Sequence, residues 1–100
     1  MTVVRKEINA AVDKERAAAE AVHGLHRSRE EQFAVMLEEL LEAKEALDEA
    51  EKDLKLMFSA IRRNNDKQAQ EFALRVANSA VELSCEAVQL AAVARKELER

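Results

Sequence analysis

An all-α fold, an antiparallel helical bundle of three main helices completed by oligomerisation, is what this sequence predicts. Three observations lead there. The 100 residues include no proline and one glycine, so little interrupts a helix. Apolar residues recur three and four apart along most of the chain. Two polar breaks, at Gly24 to Ser28 and at Asn64 to Asp66, divide the periodic stretches. Strands would need alternating β-branched and aromatic residues between turn signals, and those are missing.

The first helix is expected from about Thr2 to His23, with Val4, Ile8, Ala11, Ala18, Val22 and Leu25 as its buried stripe, interrupted by Glu15. Gly24 falls where a left-handed C-cap is wanted. His23 and His26 flank it and read as solvated or capping residues rather than ligands.

Ser28-Arg29-Glu30-Glu31 has the form of a capping box and starts the second helix. From Phe33 to Ile61 the apolar positions alternate by three and four through Met36, Leu40, Ala43, Leu47, Ala50, Leu54 and Met57, which reads as a coiled-coil-like seam. The helix should stop near Arg62 or Arg63, and Asn65 or Asp66 should cap the next one. The third helix, about Lys67 to Leu98, has a large stripe (Phe72, Val76, Leu83, Leu90, Val93) and an alanine stripe from Ala73 to Ala94. With both buried it should be the most enclosed of the three.

At 1.5 Å per residue the second and third helices span roughly 50 Å each. A compact domain of 100 residues has a radius of gyration near ~13 Å. Either the helices kink or subunits pack along the protruding lengths; the doubled apolar stripe of the third helix favours the second, a homodimer or homotetramer, with residues 1–100 forming a single domain.

The net charge of −4 and the lack of a basic stripe argue against a nucleic-acid polymer as partner. Three phenylalanines make no stacking platform for single strands. No apolar run reaches the ~18 residues of a membrane span, and Met1 to Leu25 has no signal-peptide core. The lone Cys85 allows no internal disulfide, which points to a reducing, cytoplasmic setting.

Chemistry concentrates in two places. Glu38, Glu39, Glu42 and Glu45 crowd the second helix at spacings where like charges repel, with only Lys44 interleaved. A solvated acidic face is the plainer reading, and a divalent cation would reverse the sign of that repulsion. On the third helix Glu86 breaks the large stripe between Leu83 and Leu90, so it must be paired, protonated or cation-bound. Arg75, Asn78, Glu82, Glu86 and Gln89 form a polar ridge there. Counted from a tight turn at Asn65, the two acidic levels nearly coincide on antiparallel helices.

The run Ala34 to Glu42, with Glu38, Glu39 and Glu42, resembles the first ExxE motif of the MazG-like all-α nucleoside triphosphate pyrophosphohydrolases. The run Glu82 to Ala94 resembles the second motif of their phage and mobile-element branch. Gln89 stands where that motif usually has aspartate. The resemblance implies Mg²⁺-dependent hydrolysis of an NTP or dNTP between its α and β phosphates, with Mn²⁺ as an alternative ion. It implies Glu39, Glu42, Glu86, Glu82 and Gln89 as the metal ligand set, and Glu38 and Glu39 as catalytic residues. Lys44, Arg75 and Asn78 are then the residues expected to contact substrate. The competing expectation is a non-catalytic helical oligomer serving as a binding or scaffolding module.

Overall fold

The computed structural model describes residues 2–23 and 28–99. Three helices follow one another: α1 (Thr2–His23), α2 (Arg29–Arg62) and α3 (Asp66–Glu97). The chain divides into two compact units. The first comprises α1, the start of α2 up to Leu41 and the end of α3 from Cys85; the second is the hairpin Glu42–Ser84. Gly24, Leu25 and His26 lie outside the described residues, as do the side chains of Val22 and His23.

Local chemistry sets the helix ends. The Ser28 Oγ accepts from the Glu31 amide at 3.1 Å, and the Glu31 carboxylate accepts from the Ser28 amide at 3.2 Å. This reciprocal box satisfies two amides that a helix start leaves orphaned. At the far end of α2, Asn64 takes a left-handed φ of 56°. Its amide donates to the Ile61 carbonyl, and the Asn65 amide donates to the Ala60 carbonyl, the paired bonds of a Schellman motif. Asn65 then caps α3, its Oδ1 accepting from the Gln68 amide at 3.1 Å. Three residues turn the chain.

The buried faces differ from those expected. On α1, Val4 and Ile8 are exposed, as are Ala11 and Ala18, while Val12 is 2% exposed. Arg16 and Ala19, four and seven residues on from Val12, are half-buried on its face, and Glu15, three residues on, is exposed. On α2 the large residues Phe33, Leu40, Leu47, Leu54 and Ile61 of the seam are exposed, while its positions Met36, Ala43, Ala50 and Met57 are half-buried or buried as expected, joined by Gln32, Ala46, Asp53 and Ala60. Small residues let two helix backbones approach closely, and that contact occupies the inner side. On α3 the alanine stripe is divided, with Ala77, Ala80 and Ala87 exposed and Ala91 and Ala94 half-buried. The expected enclosure of α3 holds for residues 88–97, all half-buried or buried.

In the first unit, polar ties link α1 and α2 to the end of α3. Arg16 pairs with Glu99 at 2.7 Å and Arg29 with Glu97 at 3.1 Å. Arg95 reaches Asp13 at 3.2 Å and Asn9 at 2.7 Å. Exposed pairs of this kind contribute at most about 1 kcal/mol each, so they set register more than stability.

The turn supplies a direct test. Asn64→Gly is expected to leave the melting temperature unchanged or slightly higher, and Asn64→Val to lower it by several degrees, reflecting a left-handed cost of about 1–2 kcal/mol. Equal melts for both variants would contradict the cap described here.

Candidate metal centre

Gln32 begins the site. It is 2% exposed, and its Nε2 donates to the Val93 carbonyl at 3.0 Å, clamping α2 to α3 inside the first unit. Its Oε1 is buried and accepts no hydrogen bond among the described residues. Two turns further along α2 comes Glu39, and two turns back along α3 comes Glu86. Antiparallel helices held at one level stay level two turns on, so the carboxylates meet.

Within the first unit Glu39 and Glu86 each offer a carboxylate oxygen, and these atoms lie within 4.8 Å of one another. Glu39 is half-buried, and the Glu86 carboxylate is the deeper of the two. The Oε2 atoms of Glu39 and Glu86 are shielded from solvent, and that of Glu39 accepts no hydrogen bond among the described residues. Ionised groups this close repel by roughly 3–4 kcal/mol per pair at an effective dielectric of ~20. The donor set is all oxygen, which suits a hard divalent cation. Adjacent oxygen ligands of one Mg²⁺ stand about 2.9 Å apart and opposite ones about 4.2 Å, so an ion would draw these oxygens inward.

Beside the cluster the first unit has a cleft of about 210 Å³, lined by Glu15 and Ala19 of α1, Val35 and Glu39 of α2, and Gln89 and Val93 of α3. Small-molecule pockets usually begin near 300 Å³, so this one admits a phosphate-sized group and not a whole nucleotide. Its acidic wall repels anions unless a cation intervenes.

The remaining sequence candidates are distributed as follows. Gln89 is half-buried and faces the cleft with Glu39. Glu38, a helix step off the inward face, is exposed, as is Glu82. Lys44, Arg75 and Asn78 are exposed residues of the second unit, and Arg75 lies over the Phe72 ring at 5.5 Å. Sequence reasoning missed two members of this neighbourhood. Glu15 was read as a break in the α1 stripe; its spacing from Val12 and Ala19 was the available signal. Gln32, an ordinary first-turn glutamine by sequence, gave none.

Crowding predicts the behaviour of one variant. Without added metal, Glu39→Gln should raise the melting temperature, since a neutral amide removes like-charge repulsion and brings donors to Glu86. A lower melting temperature would mean that the Glu39 charge is already compensated.

No protein-family model, no curated protein and no solved structure matches this chain, so the chemistry of the centre is read from its own side chains.

Proposed function

We propose that Glu39, Glu42 and Glu86 hold a divalent cation, Mg²⁺ or Mn²⁺, and that the chain is a nucleotide pyrophosphohydrolase releasing NMP and pyrophosphate from an NTP or dNTP. The observation that carries this reading is the meeting of the Glu39 and Glu86 carboxylates of the first unit within 4.8 Å, with the Glu39 Oε2 buried and accepting no hydrogen bond among the described residues. The adjoining cleft has room for phosphate and leaves the nucleoside outside. The resemblance of the two acidic motifs to the MazG-like enzymes supplies the reaction class.

When bound, the ion would offset phosphate charge and make an attacking water more acidic. The chain's own residues do the rest. Glu39, at the junction of cluster and cleft, is the group placed to accept a proton from that water. Gln89 lends an amide at the cleft wall, where it can donate to a phosphate oxygen as a carboxylate could not. Val35 and Val93 limit the space open to solvent. Glu38, Glu82, Lys44, Arg75 and Asn78 have exposed positions and no assigned contact in this scheme.

Incubation with a panel of NTPs and dNTPs and Mg²⁺ should release pyrophosphate, and Glu39→Ala should cut the rate by about 100-fold or more. Saturating Mg²⁺ at 100 times its dissociation constant should add about 2.7 kcal/mol of stability, lost in Glu86→Gln. A folded protein that gains no stability from either ion and turns over no nucleotide would refute the reading.

A second reading, a non-catalytic helical oligomer used for binding or scaffolding, is favoured by the outward seam of α2. It requires melts indifferent to Mg²⁺ and Mn²⁺.

A further inference from the structure

The hairpin Glu42–Ser84 has an apolar surface that its own two helices leave uncovered. On α2, Leu47, Leu54, Phe58 and Ile61 step by seven, four and three, which puts them on one stripe, and they are 49% to 60% exposed. Leu74 and Val81, two turns apart on α3, are also exposed. The hairpin's buried side is alanine and Asp53, with Ala43, Ala46, Ala60 and Ala69 at its contacts. Four large side chains in a heptad-like row are more than a scatter of surface residues, and such a seam is built to meet another helix.

Charge along α2 indicates which helix it meets. From Glu42 to Glu51 the helix has five acidic residues and one lysine; from Lys52 to Arg62 it has three basic residues and one acidic. A parallel partner of the same sequence would set acid on acid. An antiparallel one sets the acidic end of each copy on the basic end of the other.

We propose that this stripe docks a second copy of the same hairpin, antiparallel, in a two-fold symmetric dimer centred between Lys52 and Asp53. The apolar spacing carries the register. Reversal about that point brings Leu47 against the partner's Phe58 and Ile61 against the alkyl stem of the partner's Lys44. Leu54 meets the partner's Glu51, whose charge is already held by Lys55 at 3.0 Å in its own chain. Asp48 lies two residues, about 3 Å along the axis, from level with the partner's Lys55 on the flank of the seam, where charge pairs select partner and orientation. Glu42 belongs both to the proposed cation ligands and to the acidic end of the hairpin, and the variants below leave it intact, so the two proposals are tested separately.

The test uses the full chain. Sedimentation equilibrium should give twice the 11.2 kDa of one chain. Leu54→Glu should give a monomer of unchanged helix content, since Leu54 is already exposed within one chain and its loss cannot unfold it. Asp48→Lys alone and Lys55→Asp alone should each weaken association about tenfold at low salt, and the double variant should restore it, because the exchanged pair re-forms across the two-fold axis. Spin labels in a Cys85→Ser background should lie close together at Lys52 and roughly 30 Å further apart along the axis at Arg63. A wild-type monomer, a dimer that survives Leu54→Glu, a double variant as weak as the singles, or short distances at both label sites would each overturn the proposal.

Discussion

One amide contact sets the level of everything in the first unit. Gln32, almost wholly enclosed, gives its side-chain proton to the Val93 carbonyl and so fixes how α2 slides against α3. Two turns away on each helix, that alignment puts Glu39 opposite Glu86. A slip of one residue would move each carboxylate about 1.5 Å along its axis and rotate it by roughly 100°, which is enough to separate the group. The outer pairs Arg16–Glu99 and Arg29–Glu97 reinforce the same alignment from the surface.

What was readable in the sequence was what depends on near neighbours. The Ser28–Glu31 box and the Asn64–Asn65 turn are decided by residues within five positions, so their spelling predicts their geometry. Which stripe faces inward was not readable. On α2 a large stripe and an alanine stripe repeat with almost the same period about a quarter turn apart, and periodicity cannot rank them. Hydrophobicity alone would bury Leu47, Leu54 and Ile61, and they are exposed; close backbone approach favours Ala43, Ala46 and Ala60, which line the interior.

The acidic cluster was legible for a related reason. Glu86 conflicted with its own stripe, and a carboxylate between two leucines signals a constraint that helix propensity does not explain. Its meeting with Glu39 needed only equal distances from a short turn. Glu15 needed more, because its place at the cleft depends on the packing of a third helix whose inward face was itself misassigned. The cationic candidates Lys44 and Arg75 were chosen for charge alone, and the environment of Arg75 is the Phe72 ring. No pattern fixed them.

The alanine interior of the hairpin has a bearing on its opening. Ala43, Ala46, Ala60 and Ala69 offer few methyl groups to hide, so the 42–84 segment gains little from closing on itself. Amide protons there would exchange through local unfolding long before those around Val12 and Gln32. In the dimer proposed above, its protection would rise with protein concentration.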